Sequence, residues 1–293
     1  MRRLPFLLLL FLTASCTSEI DLDLDQKKKP SVVVEGFLTD SSNVAQWMRL
    51  TQTTGYYDKK KVPPVEGASV TVRGAGNTYT FHQNGDPDSA SYYMAPAAFS
   101  LQQGKTYTLE VDHEDSTYRA KSKVKPVMGI DSVHLRLDPI QSISGGEIKD
   151  TTFQVVAHFD DLPAEGDHYL FNLYIDGELY SNEANEKNVI DDEGLDQNVE
   201  LAVQSFKKSD IALGDSLTLS VRSVSQACDE FYAIFSDQTE LSGNPFAAAP
   251  PANIPSNMSG TALGFFQVSS VNTHKRVFDA QMLSNTEIPE GGG

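Results

Sequence analysis

Short runs in which apolar and polar residues alternate make up most of this chain, and they constrain its fold more than any other feature. A period of two places every second side chain on the same face of a β-strand. Turn-forming residues separate the runs. Seven strands are predicted before residue 126, at 31–38, 45–53, 68–73, 77–82, 91–94, 106–112 and 117–123. This density of short strands predicts an immunoglobulin-like or transthyretin-like β-sandwich over residues 30–125.

A second β-rich domain is predicted over residues 126–290, so that the fold class is mainly β. The dipeptide Asp176-Gly177 is a hairpin turn signal, and the polar stretch 180–198 predicts a long loop. One helix is predicted near 227–241, where apolar residues recur near helical spacing. The strand patterns of this domain lie at 132–137, 152–159, 169–175, 199–206, 216–224, 263–268 and 275–278.

The amino end has the layout of a bacterial lipoprotein signal. Two arginines precede an apolar run at 4–12, which is too short to span a bilayer as a helix. Small residues then lead to Cys16. The pattern predicts a signal peptide over residues 1–15 and a lipid on Cys16, which would become the new amino terminus. The alternative is an ordinary cleaved signal with an incidental cysteine.

Residues 16–29 are predicted to form an acidic, lipid-anchored linker. We expect attachment to the membrane by the lipid alone, because no other segment approaches the roughly 20 apolar residues of a membrane helix. An acidic stretch directly after the lipid cysteine resembles a surface-export signal. The expected location is therefore the outer membrane, exposed at the cell surface, and a plain solvated linker is the alternative.

The charge and cysteine content exclude several classes of function. The formal net charge is −17, which argues against nucleic-acid partners and against binding anionic lipid by charge. Only two cysteines occur, Cys16 and Cys228. If Cys16 carries a lipid, Cys228 has no disulfide partner, and we expect it to be buried and inert.

No motif predicts an active site, a metal site or a cofactor. The sequence Gly104-Lys105-Thr106 resembles the end of a phosphate-binding loop, but Phe99 stands where that loop needs glycine. The acidic segment 191–194 lacks a ligand at the first position of a calcium loop. The six histidines show no zinc spacing, although His158 and His168 flank an acidic loop. We therefore predict no catalytic residues and no metal ligands, and the protein is predicted not to be an enzyme.

Two tyrosine pairs are the candidate binding residues. Tyr56 and Tyr57 lie in a loop followed by lysines, whereas Tyr92 and Tyr93 lie in a strand. Adjacent residues of a strand point to opposite faces, so one tyrosine of each pair is predicted to be exposed. Exposed tyrosines offer rigid contact area to a protein or a sugar. A half-buried rim of the sandwich is the alternative interpretation.

Several short motifs recur in a characteristic order. They are Val32-Val33-Val34-Glu35-Gly36, then residues 67–72, 104–111, 126–127, 130–133, 244–246, 253–257 and 264–266. In this order and spacing the chain resembles, over nearly its whole mature length, the Bacteroidetes lipoproteins of domain of unknown function 4249. That resemblance implies an outer-membrane lipoprotein of a kind often encoded beside a TonB-dependent receptor. It supplies no catalytic residues.

These observations lead to three hypotheses of function. The first is a lipid-anchored surface binding protein that serves as an accessory to a TonB-dependent transporter, capturing a ligand or covering the pore. The second is a stand-alone surface adhesin or glycan-binding lipoprotein. The third is an extracellular hydrolase, which would need a clustered site that the sequence does not reveal.

Overall fold

The computed structural model describes residues 29–55, 61–137, 151–160, 166–180, 187–193, 195, 199–240 and 254–284. Most of the regular structure in these residues is β-strand. The predicted signal peptide, Cys16 and the linker up to residue 28 lie outside these residues. The described residues from Ser31 onward belong to one compact unit. No helix among the described residues has both the length and the apolar character needed to cross a bilayer.

The first seven strands match the seven predicted ones. They are β1 (Val32–Thr39), β2 (Trp47–Gln52), β3 (Ser69–Gly74), β4 (Asn77–Gln83), β5 (Tyr92–Met94), β6 (Thr106–His113) and β7 (Ser116–Lys123). In β2 the alternation has its expected effect, because Met48 and Leu50 are fully buried whereas Trp47 is exposed.

The remaining elements are β8 (Gly129–Leu137), β9 (Thr152–Asp160), β10 (His168–Ile175), β11 (Glu178–Leu179), β12 (Asn188–Asp191), β13 (Val199–Lys207), β14 (Ser216–Val224), α1 (Gln226–Glu240), β15 (Leu263–Ser269), β16 (Val271–Val277) and α2 (Ala280–Ser284). The sequence patterns do not predict three short elements among these, β11, β12 and α2, and β12 lies within the stretch predicted as a loop. The predicted hairpin turn is confirmed, since Asp176 and Gly177 both adopt positive φ between β10 and β11.

The first sheet has eight strands in the order β15-β1-β2-β5-β4-β3-β6-β7. Strand β15 comes from late in the chain and pairs in parallel with β1. The two ends of the sheet approach each other, because the backbone N–H of Val268 in β15 donates to Ser122 Oγ in β7 at 3.0 Å. The eight strands therefore wrap around one apolar core, which includes Val34, Leu50, Phe81, Tyr107, Leu109 and Phe266.

The second sandwich packs two smaller sheets face to face. One sheet has the order β11-β10-β14-β16 with β12 beside β10, and the other has the order β13-β9-β8. Their shared core includes Phe159, Phe171, Phe206, Leu219 and Phe278. The predicted fold class is thus confirmed as mainly β, with a β-sandwich followed by a second β domain that carries a helix.

Helix α1 packs where the two sandwiches meet. Phe231 lies with its ring centroid 5.2 Å from that of Phe265 in β15 and 6.1 Å from that of Phe37 in β1. On the same side of the helix, Cys228 is fully buried beside Leu170 of β10. Burial, and then the neighbouring carboxylate of Asp229, raises the pKa of the Cys228 thiol. The cysteine is therefore a packing residue, as its sequence context predicts.

Candidate functional site

A groove of about 330 Å³ lies between the outer faces of the two sandwiches. Its volume falls at the lower end of the range for small-molecule sites, about 300–1,000 Å³. One wall comes from β1, β2 and the loop before β2, and the other comes from β10, β14 and α1. The described residues that line the groove are Glu35, Phe37, Thr39, Val44, Ala45, Gln46, Trp47, Leu170, Asn172, Tyr174, Leu179, Lys187, Arg222 and Tyr232.

The strand period determines which side chains face this groove. In β1 the buried Val34 and Leu38 point into the first core, so Phe37 between them points outward. In β10 the core takes Phe171, and the next residue, Asn172, faces the opposite wall of the groove. The groove is therefore made from the outward faces of two sheets whose inward faces form separate cores.

Trp47 lies at one rim of the groove and is supported by Tyr92. Trp47 is 44% exposed, and it meets Tyr92 of the neighbouring strand in an edge-to-face contact with 5.0 Å between ring centroids. Trp47 is also the single tryptophan of the chain. An exposed indole beside polar groups provides a flat apolar surface on which a planar group or a sugar ring can stack.

Hydrogen-bonding groups line the opposite wall. Arg222 donates from Nη2 to the hydroxyl of Tyr174 at 3.3 Å. Its Nε is buried and has no hydrogen-bond partner among the described residues. Lys187 donates from Nζ to Asn172 Oδ1 at 3.4 Å. This wall therefore presents two cations and an amide, which suit a ligand rich in hydrogen-bond acceptors.

The one carboxylate among the described lining residues is neutralised by a neighbour. Glu35 accepts from Arg49 Nη1 at 2.9 Å, across the β1–β2 pair. The described lining contains no histidine and no cysteine. It thus lacks both a second carboxylate and a nucleophile with an adjacent base, which are the usual arrangements for hydrolysis.

The structure separates the predicted binding tyrosines. Tyr92 is half-buried and supports Trp47, whereas Tyr93 is 1% exposed. The Tyr93 hydroxyl donates to the Val65 carbonyl at 2.7 Å and accepts from the Ala68 N–H at 3.2 Å, and burial raises its pKa. Tyr93 is therefore a core residue whose side chain is not accessible to a binding partner. This is expected, because Tyr92 and Tyr93 are adjacent in a strand and point to opposite faces. Tyr56 and Tyr57 lie outside the described residues.

Sequence patterns alone do not identify the groove residues as a site. Alternation places Trp47 and Arg49 on one face of β2, and it places Arg222 on the polar face of β14, opposite Leu219 and Val221. These signals indicate outward-pointing side chains. They say nothing about what the side chains face, because the opposite wall is more than a hundred residues away in the chain.

Other predicted clusters have structural roles or separate locations. His158 lies in β9 and His168 in β10, which belong to different sheets, and His168 Nδ1 lies 2.9 Å from Asp229 Oδ2. Within the acidic segment 191–194, the buried Asp192 accepts at Oδ1 from the N–H of Asp167 at 3.0 Å. The carboxylate therefore organises the backbone before β10.

Three of the motifs that suggested a family, at 32–36, 253–257 and 264–266, meet along β15. Ser256 donates from Oγ to the Gly264 carbonyl at 2.8 Å. The Asn257 amide pairs with the backbone of Phe266 twice, accepting from its N–H at 2.9 Å and donating to its C=O at 2.7 Å. On its other edge, β15 pairs with the Val32–Gly36 motif in β1. These motifs therefore build the β1–β15 edge of the first sandwich, and Glu35 of the first motif also lines the groove.

The described chain is thus a protein of two β-sandwiches with a groove between their outer faces. Residues 17–275 match the family model described as Domain of unknown function (DUF4249), and the chain belongs to this family. The resemblance inferred from the ordered motifs is thereby confirmed. No curated protein matches the chain. The family description names no activity.

Proposed function

We propose that this protein is a lipid-anchored, non-catalytic binding protein of the outer membrane that is exposed at the cell surface and serves a TonB-dependent transporter. The observation that carries the binding role is the groove, with Trp47 on its rim and Arg222 on the opposite wall. The lipid anchor is supported by the signal-like amino end before Cys16. The transporter role is supported by the family resemblance alone.

The lining of the groove favours a small polar organic ligand. The Trp47 indole offers apolar stacking surface at one side, while arginine, lysine and amide groups at the other side form hydrogen bonds. The ion pair between Glu35 and Arg49 leaves the described lining without a free acid–base pair. Capture without chemical conversion is therefore the role that this arrangement suits.

The single tryptophan allows a direct test of the groove. Purified full-length chain is titrated with a panel of neutral and acidic mono- and disaccharides while the emission of Trp47 is recorded. We expect a saturable change with at least one class of sugar, and Arg222→Ala should remove it. The matched control is Leu213→Ala, at a position that is 64% exposed and does not line the groove. Constant emission across the whole panel would argue against sugar capture in this groove.

The transporter role is tested by recovery from membranes. Tagged wild-type chain and Cys16→Ala are each purified from outer membranes after crosslinking. We expect a TonB-dependent barrel with the wild type and none with the variant, since the lipid holds the chain beside its partner. Absence of a barrel from both preparations contradicts the accessory role but leaves ligand binding by the groove intact.

A stand-alone glycan-binding adhesin is the second candidate, and the Trp47–Tyr92 pair is the observation that favours it. Aromatic pairs of this kind form platforms for sugar rings. On a glycan array, the Cys16→Ala chain should then bind without any transporter. Trp47→Ala should abolish the response, and Trp47→Phe should retain part of it. A response that persists in Trp47→Ala would contradict this candidate.

A further inference from the structure

Two histidines and a glutamate converge on the outer face of the β13-β9-β8 sheet. Each of His134, His158 and Glu200 offers one ligand atom, and these atoms lie within 4.8 Å of one another. The two imidazole rings stack with 5.1 Å between their centroids. None of the three residues lines the groove described above.

The strand register explains why these side chains meet. Glu200 of β13 lies directly opposite His158 of β9, and His158 lies opposite Ser132 of β8. His134 is two residues beyond Ser132 and therefore shares its face of the sheet. Three adjacent strands thus supply one ligand each, and the hydrogen bonds between strands hold their backbones in place.

A neighbouring arginine orients the glutamate. Arg136 Nη1 lies 3.6 Å from Glu200 Oε1, while Glu200 Oε2 lies 3.6 Å from His158 Nε2. Arg136 is itself fixed, because its Nε donates to Gln154 Oε1 at 3.2 Å. One carboxylate oxygen is therefore held by the arginine while the other faces the histidines. This is the arrangement by which outer residues position a metal-binding carboxylate.

We propose that His134, His158 and Glu200 bind a divalent transition-metal ion of the Zn²⁺ type. Two imidazoles and one carboxylate form a common three-residue set of zinc ligands, and the fourth position stays open for water or another ligand. Calcium and magnesium prefer oxygen ligands throughout, so the two nitrogens select against them. The side chains of His158 and Glu200 are each 40% exposed, which gives an ion access from solvent.

Binding requires a small closure of the cluster. Zinc bonds of about 2.0–2.2 Å to nitrogen and carboxylate oxygen bring tetrahedral ligand atoms to about 3.3–3.5 Å of one another. The observed separations are up to 4.8 Å. The proposal assigns this change to rotation of the three side chains. The competing interpretation is a polar network without an ion, in which Glu200 contacts Arg136 and His158.

The test uses full-length chain that has been treated with a chelator. Calorimetric titration with Zn²⁺ should show one site per chain, and Co²⁺ should give the visible absorption of a low-symmetry site. His134→Ala, His158→Ala and Glu200→Gln should each weaken Zn²⁺ binding by more than the roughly 10–100-fold that loss of an outer-shell partner costs. The matched control is His82→Ala, an exposed histidine of the first sandwich, which should bind Zn²⁺ as the wild type does.

Thermal unfolding separates metal binding from folding. Zn²⁺ should raise the Tm of the wild type but not that of Glu200→Gln, because an ion stabilises only a state that binds it. Without metal the two proteins should unfold at similar temperatures, since Glu200 is an exposed residue. The proposal is overturned if the wild type shows no stoichiometric Zn²⁺ site, or if all three variants bind Zn²⁺ as tightly as the wild type.

Discussion

Gly264 of β15 lies directly opposite Val34 of β1, and its backbone adopts a φ of +95°. A Cβ atom at this position would overlap the carbonyl oxygen of Val34. Glycine is thus required twice, once for its left-handed conformation and once for the close approach of two backbones. The contact joins two family motifs from opposite ends of the described chain, and it allows β15 to complete the first sheet.

We expect Gly264→Ala to destabilise the protein by more than about 3 kcal/mol, because it combines backbone strain with a clash against main-chain atoms. The measurement is the free energy of unfolding in urea. The control is Gly67→Ala, where φ is +69° but a Cβ would meet nothing within 4 Å. That control should cost only the conformational penalty of about 1–2 kcal/mol. Equal losses for the two variants would show that the Val34 contact has no energetic effect.

The side-chain amide of Asn257 forms the backbone hydrogen bonds that a neighbouring strand would otherwise form at this edge of β15. Asn257→Ala removes both hydrogen bonds to the Phe266 backbone, and it should cost about 1–3 kcal/mol because half-buried backbone groups lose their partners. Asn257→Asp keeps the acceptor and loses the donor. If the hydrogen bond from the Phe266 N–H contributes most of the stabilisation, Asn257→Asp should lower the free energy of unfolding by less than Asn257→Ala does. Urea unfolding of the two variants alongside the wild type provides the measurement.

Phe231 holds α1 against Phe37 and Phe265 of the first sandwich, so its removal should loosen the helix. We expect Phe231→Ala to cost about 2–4 kcal/mol, somewhat less than a fully buried phenylalanine because Phe231 is partly exposed. Phe235→Ala is the matched control, since Phe235 is 36% exposed and stacks on Phe231 from the outer side. Hydrogen exchange of the α1 amides should increase in the first variant and change little in the second. Unchanged exchange in Phe231→Ala would contradict this role.

Alkaline pH should destabilise the fold through two side chains of α1, Cys228 and Tyr232. Burial raises the pKa of the Cys228 thiol and of the Tyr232 phenol. The unfolded chain therefore loses these protons first, the thiol from about pH 8.5 and the phenol from about pH 10. Above about pH 8.5 the folded state binds more protons than the unfolded state, and the free energy of unfolding falls as pH rises.

Replacement of the thiol checks this dependence. In Cys228→Ala, the decline in unfolding free energy between about pH 8 and about pH 9.5 should be shallower than in the wild type, because the first of the two titrations is gone. The phenol of Tyr232 still titrates at higher pH. Identical slopes in the two proteins over this interval would mean that the thiol is not protected by folding.

The strands were predictable because their signal is local. In β2, for example, the sequence alternates Trp47 and Arg49 with Met48 and Leu50, and this period of two is what burial on one face requires. The helix predicted near 227–241 also has a local signal, and it spans Gln226–Glu240. The shorter β11 and β12 carry too few residues for a periodic signal, and β12 forms only by pairing with β10.

The candidate sites were only partly predictable, since their residues come from distant parts of the chain. Tyr92 was named from its sequence neighbourhood, and it does support the rim of the groove through Trp47. Arg222 was not named, because its role depends on which surface β14 faces. The histidines of the proposed metal site have no zinc spacing along the chain, and only the register of three strands brings them together.

By itself, then, the sequence determined the longer strands and helix α1, the mainly β class and the family, because each of these rests on the order and period of neighbouring residues. The tertiary structure decided that β15 returns to pair with β1, that the outer faces of two sandwiches enclose a groove, and that His134, His158 and Glu200 converge. These features depend on contacts between residues far apart in the chain. Local sequence patterns do not specify such contacts, because the contacts form only in the folded tertiary structure.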